Sequence, residues 1–294
     1  MRLFLLRISD IFEQTSKKIR GAADRIQPTK SVTFLDCEKQ NWENVRPCFV
    51  LSTGRSGTLL LNKLLLLSPY AYAVHQPKPE LIRASKRAYE EISISPEIFK
   101  ELFRSAREEI VFEAAQRNKV YIETNNRITF FAPIIPLVFP NAVFIHLVRN
   151  PADFVRSGIR RKWYAGKHYH DIGRIVPLDP IIKQKWDNWG SIEKIGWLWN
   201  ETNQFIENFK QNLDSKIFLF VKAEQLFTDP DITSKIFDFL QLNNFNRQKI
   251  EKLIRKPVNV QRKGSFAKYT NWNYSDKELL RYVVPLAKKY GYSI

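Results

Sequence analysis

The sequence predicts an α/β fold of three layers, a central parallel sheet of about five strands flanked by helices. Three observations carry this expectation. Short apolar runs recur along the chain, as strands buried on both faces require. Helical patterns separate those runs, so successive strands run parallel. The first run leads through a turn of small residues straight into a helix, in "CFVLSTGRSGTLLLNKLLLL", residues 48–67.

Residues 1–26 read as a basic amphipathic helix. Arg7 and Asp10 break its apolar stretch almost at once, which excludes a secretory signal. Such a helix either packs on its own domain or makes a peripheral contact with an anionic membrane; the sequence leaves both open. Residues 27–47 form a polar connector containing Pro28 and Pro47. The expected division is therefore 1–46, an N-terminal helix and connector, and 47–294, one α/β domain.

Within that domain, "CFVLS" (48–52) is the first strand and a helix follows to Leu67. "YAYAV" (70–74) is a short second strand, and 80–117 carry long helical patterns. "VYIET" (120–124) is the third strand, followed by a helix to about 139–141. "AVFIHLV" (142–148) is the fourth, opening a helix at Pro151, a favoured first-turn residue. Residues 185–211 read as one long tryptophan-rich helix, and "KIFLFV" (216–221) as the fifth strand. Helices cross 223–254, a basic loop spans 255–272, and a last helix runs from Ser275 to about Tyr290.

The 294 residues include 47 Lys+Arg against 30 Asp+Glu, a formal charge of +17. Such a balance attracts anionic partners. Cys37 and Cys48 make no disulfide framework and favour a reducing compartment. No run reaches the roughly 18 apolar residues of a membrane helix, so the expected location is cytoplasmic.

The turn at 52–58 is chemically specific. A strand, a small-residue turn and a helix start form an anion site from backbone N–H groups, in a P-loop-like arrangement. Gly54 and Gly57 allow close approach. Thr53, Ser56 and Thr58 add hydroxyls, and Arg55 adds a planar fork suited to phosphate or sulfate. The nucleotide-kinase loop Gly-x-x-x-x-Gly-Lys-Ser/Thr is not met, because Ser52 and Thr58 stand where Gly and Lys are required. The fourth strand ends in Arg149-Asn150-Pro151, where magnesium-dependent enzymes need an aspartate. The expectation is an anionic nucleotide held by arginines without a metal. In "FIHLVRNPADFVRSG" (144–158), Arg149 and Ser157 are spaced to meet a second phosphate.

These two segments together resemble the two signatures of sulfotransferases that use 3′-phosphoadenosine-5′-phosphosulfate. "VKAEQLFTDP" (221–230), "QRKGSFAKYTNW" (261–272) and "IGWLWNETN" (195–203) resemble further family segments in the same order. The resemblance covers about residues 47–290. It implies that Arg55, Ser56, Gly57 and Thr58, with Thr53 and Gly54, bind the 5′-phosphosulfate. It implies that Arg149 and Ser157 hold the 3′-phosphate, under a lid of Arg262, Lys263 and Gly264. Arg55 replaces the lysine of many cytosolic members, as it does in carbohydrate and tyrosylprotein sulfotransferases. Leu59 replaces a second hydroxyl common in the family. The reaction implied is in-line sulfuryl transfer to an acceptor oxygen or nitrogen, driven by positioning and charge stabilisation.

A hydroxyl acceptor also needs a base. Relatives often carry a glutamate just after the second strand, where this chain has Gln76. His75 is the first candidate, with an unperturbed pKa near 6.5, and Glu123 at the end of the third strand is the second. Glu80 lies one turn beyond His75. His146 reads as a core histidine, and the pair His168 and His170 as a loop face rather than a metal site. The tryptophans of 186–199 fit helix packing.

The expected partner is a small-molecule or glycan acceptor, and no nucleic acid. The basic, aromatic stretch 159–170 points to an acidic or glycosidic one. The acceptor's identity and the oligomeric state are not encoded legibly. Three other readings exist: a P-loop-type kinase, a basic nucleic-acid binder without catalysis, and a sulfotransferase-like chain that binds the nucleotide but has lost its base.

Overall fold

The computed structural model describes residues 11–12, 14–16, 18–19, 45–166, 169–211, 213–243, 245–255 and 264–294. The expectations for Cys37, His168, Arg262 and Lys263, and for most of the helix at 1–26, lie outside them. The chain divides into two compact units, one of residues 1–40 with 116–118 and one of 41–115 with 119–294. In the small unit, the described positions between 11 and 19 are helical. No described helix is long and apolar enough to cross a membrane.

The large unit is built on a five-stranded sheet in the order β2-β3-β1-β4-β5, with every neighbouring pair parallel. The strands are β1 (Cys48–Leu51), β2 (Ala71–Val74), β3 (Val120–Glu123), β4 (Val143–Val148) and β5 (Phe218–Lys222). β1 and β4 are buried at every residue. Alternate side chains feed two cores: Phe49 and Leu51 point to one face of the sheet, Cys48 and Val50 to the other. Full burial of a side chain such as Phe49 stabilises by about 1.5–3 kcal/mol. The same burial pushes the Cys48 thiol far up, so it is an inert core residue.

Helices α1 (Thr58–Leu65), α2 (Ile82–Glu91), α3 (Pro96–Gln116), α4 (Ile135–Val138) and α5 (Pro151–Ile159) precede the middle of the chain. After it come α6 (Pro180–Trp186), α7 (Ser191–Lys210), α8 (Ala223–Thr228), α9 (Pro230–Phe239), α10 (Arg247–Ile254), α11 (Tyr274–Val283) and α12 (Leu286–Lys289). Several starts are written as a capping residue followed by proline. The side chain of Asn150 accepts from Ala152 N ahead of α5, Asp179 from Ile181 N ahead of α6, and Asp229 from Asp231 N ahead of α9.

Four element expectations are corrected. The helix expected over 185–211 is two helices, because Glu193 reaches back to the N–H of Gly190 at 2.7 Å and starts α7 afresh. The helix expected from Ser275 to about Tyr290 is also two: α11 stops at Val283, since Pro285 has no N–H to continue it, and α12 follows from Leu286. After β3 there is a 3-10 turn, Asn126–Phe131, and the four-residue α4, in a segment interrupted by Pro133 and Pro136. Strand β5 starts at Phe218, because Asp214 caps a 3-10 turn at Ser215–Ile217.

The topology positions the site. From β1 the chain goes out to β2, returns to β3 beside β1, and then crosses to β4 on the other side. The direction of winding reverses around β1, and ligands of open parallel sheets bind outside the carboxyl ends of the strands at such a point. The carboxyl ends of β1, β3 and β4 carry the loop at 52–57, Thr124–Asn126 and Arg149.

Candidate active site

The loop after β1 is held from below by Thr129. Ser52 N donates to Thr129 Oγ1 at 3.1 Å, and that hydroxyl donates to Ser52 O at 3.0 Å. Gly54 (φ +77°) and Gly57 (φ +92°) adopt left-handed backbone. A Cβ on Gly57 would lie 2.7 Å from the Phe227 ring, and one on Gly54 2.9 Å from Asn126 Cγ. Glycine is thus required by conformation and by space. Arg55 shares the left-handed conformation (φ +53°), an uncommon one for a residue that carries a Cβ. Ser56 is fully buried and its Oγ has no hydrogen-bond partner.

The two basic segments meet here. Arg55 Nε donates to Ser157 Oγ at 3.3 Å, and Arg149 Nη1 donates to Arg55 O at 2.9 Å. Burial, then Arg161 and Arg149, push the Arg55 guanidinium down to about 10, so it stays charged at neutral pH. Arg149 is anchored on its other sides. Its carbonyl accepts from Trp199 Nε1 at 2.8 Å, and its guanidinium lies 5.9 Å above the Phe227 ring and 3.7 Å from Asp153. Its Nε is buried without a hydrogen bond. Glu224, within "VKAEQLFTDP", accepts from Asn150 N at 2.9 Å and from the Tyr292 hydroxyl at 2.8 Å. That segment therefore fixes the turn that presents Arg149.

Gly264 packs against the end of α5. Its carbonyl accepts from Arg160 Nε at 2.9 Å, and Phe266 O accepts from Arg156 Nε at 3.0 Å. A Cβ on Gly264 (φ +75°) would meet Arg160 O at 2.4 Å. Two cavity-lining arginines thus hold the start of the described part of this loop.

A cavity of about 680 Å³ opens over these residues; Thr53, Gly54, Arg55, Gly57 and Thr58 line it together with Arg149 and Ser157. His75 lines it too. His75 Nδ1 lies 2.8 Å from Thr124 O and 3.0 Å from Thr124 Oγ1. A carbonyl only accepts, and the Thr124 hydroxyl donates its own proton to Val74 O at 3.1 Å. Nδ1 therefore carries the ring proton, and Nε2 is the basic nitrogen. Burial, more than any neighbouring charge, lowers the His75 pKa below 6.5, and Arg127 lowers it further.

Glu123 is not brought to this cavity. Both of its oxygens are engaged: Arg107 Nε donates to Oε2 at 2.6 Å and Nη2 to Oε1 at 2.9 Å. The Tyr121 hydroxyl adds 2.9 Å and Asn125 Nδ2 3.0 Å, and Arg107 and Glu123 are both fully buried. A carboxylate so saturated cannot reach a substrate proton. Arg107 Nη1 also donates to Pro79 O at 3.1 Å, so the pair braces the loop that carries His75.

His146 is a core residue, as expected, its Nε2 2.9 Å from Asn203 Oδ1. His170 is not merely a loop face: it lines the cavity and accepts at Nδ1 from Arg127 Nη2 at 2.8 Å. Arg127, Arg161 and Arg174 line the same cavity; Arg161 falls in the basic stretch 159–170 that points to an acidic or glycosidic acceptor, whereas no sequence expectation covers Arg127 or Arg174. A signal for Arg160 and Arg161 existed in "RSGIRR", one helical turn after Ser157. Arg127 and Arg174 carry none. Among the described residues, no three His, Cys, Asp or Glu side chains cluster as a metal site would need.

Residues 47–247 match the Sulfotransferase family, and the chain belongs to it. This membership sets it among sulfotransferases rather than nucleotide kinases. Solved structures share the fold, two of them as follows. The sulfotransferase domain from the curacin biosynthetic pathway is 15% identical with a TM-score of 0.52, over 85% of this chain and 99% of that one. The sulfotransferase domain of the Synechococcus PCC 7002 olefin synthase is 18% identical with a TM-score of 0.51, over 87% and 100%. No curated protein matches the sequence significantly.

Proposed function

We propose that the chain transfers a sulfuryl group from 3′-phosphoadenosine-5′-phosphosulfate to a hydroxyl or amine of an acceptor. The contact of Arg55 with Ser157 and of Arg149 with Arg55 supports this best, because it joins the two signature segments at one cavity mouth. The residues fit the nucleotide. The buried Ser56 Oγ and Arg149 Nε both lack partners, and the loop glycines leave backbone open to an anion.

In this reading Thr53, Gly54, Arg55, Ser56, Gly57 and Thr58 would hold the 5′-phosphosulfate, and Arg149 and Ser157 the 3′-phosphate. Gly264 belongs to a loop closing over the latter. Residues 47–294 are the transferase domain and 1–46 an extension. When bound, the nucleotide supplies the activated sulfuryl group and a phosphate leaving group. Arg55 keeps a positive charge fixed beside the loop, where negative charge builds on the leaving oxygen. His75, protonated at Nδ1, offers Nε2 to the acceptor's hydroxyl proton. Arg107 and Glu123 hold the His75 loop in place.

Transfer of labelled sulfate to a panel of hydroxyl and amine acceptors tests the activity. The pH profile of kcat/KM tests the base, since it reports the free enzyme. Burial favours neutral His75, so the active form persists below the usual histidine range. The acid limb of the profile is expected below pH 6.5, and it should vanish in His75→Ala. A limb that lies above 6.5, or one unchanged in the variant, removes His75 from the role.

A further inference from the structure

The cavity has more cationic wall than the donor residues account for. Arg127, from the 3-10 turn after β3, Arg161, just past α5, and Arg174 all line it. Their neighbours order them in space. Arg55 feels the charges of Arg161 and Arg149, Arg174 those of Arg127 and Arg161, and His75 that of Arg127. A row of like charges thus runs from Arg149 through Arg55 and Arg161 to Arg174 and Arg127, and ends at the proposed base.

Carboxylates only partly compensate the far end of that row. Glu80 lies 3.4 Å from Arg127, and Asp171 lies 2.8 Å from Arg174. Among the described residues, the charges acting on or felt from Arg161 are cations, Arg160, Arg55 and Arg174, and its Nε is buried without a hydrogen bond. Arg127 Nη1 is buried too, and the Glu80 carboxylate faces it at 3.4 Å without hydrogen-bond geometry. Unfilled N–H groups of this kind cost free energy unless a ligand completes them. The far-end guanidiniums are also held rigidly. Arg174 stacks 4.2 Å from the centre of the Trp163 ring, and Arg127 donates to His170. A neutral acceptor would leave the charge of Arg161 uncompensated, whereas planar forks fixed in advance suit an oxyanion.

We propose that the acceptor carries an oxyanion of its own, a phosphate, sulfate or carboxylate, seated on Arg127, Arg161 and Arg174 while its nucleophilic atom lies at His75. The proposal rests on the sulfotransferase reading of the same cavity. Arg161, between the two ends of the row, would separate the acceptor's charge from the donor's.

The test fills the donor subsites first. Protein saturated with 3′-phosphoadenosine-5′-phosphate is titrated calorimetrically with glucose 6-phosphate, glucuronate and glucose. At least one charged sugar is expected to bind about tenfold or more tightly than glucose, and the better of the two tells phosphate from carboxylate recognition. Arg174→Gln should weaken that binding about tenfold while the nucleotide's own affinity stays unchanged. Arg161→Gln, at a half-exposed position outside the helix, repeats the measurement should Arg174→Gln fail to fold. Charged sugars that bind no better than glucose, or binding that survives the substitutions, would overturn the proposal. If the bisphosphate binds and the charged sugars do not, the acceptor proposal alone fails. If the bisphosphate itself does not bind, the donor reading fails and takes the proposal with it.

Discussion

Arg55→Ala lowers the rate of sulfuryl transfer by about 10²–10³-fold and leaves the fold intact. The side chain packs into no apolar core, so its loss removes a charge rather than a support. Its Nε is directed by Ser157 and its backbone is held in the left-handed region before any ligand arrives. A donor fixed in advance costs no reorganisation at the moment charge builds on the leaving oxygen, which is why a single group weighs so much. Arg55→Lys keeps a charge but loses the planar fork and the bond to Ser157, so it should fall between the parent and Arg55→Ala. Steady-state kinetics check this: the loss should fall on kcat and kcat/KM alike, as for an interaction made in the transition state. An effect confined to KM would make Arg55 a binding residue only.

The second large effect is on stability. Arg107→Met should cost about 3–5 kcal/mol and lower the melting midpoint by on the order of 10 °C, because it strands the Glu123 charge in the core. Glu123→Gln should do comparable harm by stranding Arg107. Replacing both by apolar residues, as in Arg107→Met with Glu123→Leu, should recover much of the loss, since a buried pair is dear mainly when broken. Thermal melting of the three variants decides the matter. A Glu123→Gln protein that melts like the parent yet has lost turnover would restore Glu123 as the base.

The strands were legible because β1 and β4 are apolar at nearly every position, the mark of a sheet covered on both faces. The loop at 52–58 was legible because its chemistry is local: two glycines, four hydroxyls and an arginine lie within seven residues. Arg149 and Ser157 were legible by their spacing along one strand end and one helix. What stayed hidden is what the fold assembles from afar. His75 follows β2 and Glu123 ends β3, and sequence could not tell which of the two strand ends faces solvent space. Arg107, half a helix away from Glu123, settles it by taking that carboxylate out of play. Thr124 selects the His75 tautomer through a carbonyl, a group with no sequence signature. Arg127 and Arg174 reach the cavity from separate turns, and no local pattern marks either one. The break before α7 lay in a hydrogen bond from Gly190 to Glu193, which a reading of tryptophan spacing overlooked.

The central claim is that the two signature segments form one site for an adenosine 3′,5′-bisphosphate. A melting titration with 3′-phosphoadenosine-5′-phosphate, beside AMP and beside ATP with magnesium, tests it most directly. At about 100 times its dissociation constant a ligand adds roughly 2.7 kcal/mol, enough to move the midpoint by several degrees. The bisphosphate alone is expected to give that shift, and Arg149→Ala to abolish it. A shift with magnesium-ATP and none with the bisphosphate would contradict the account.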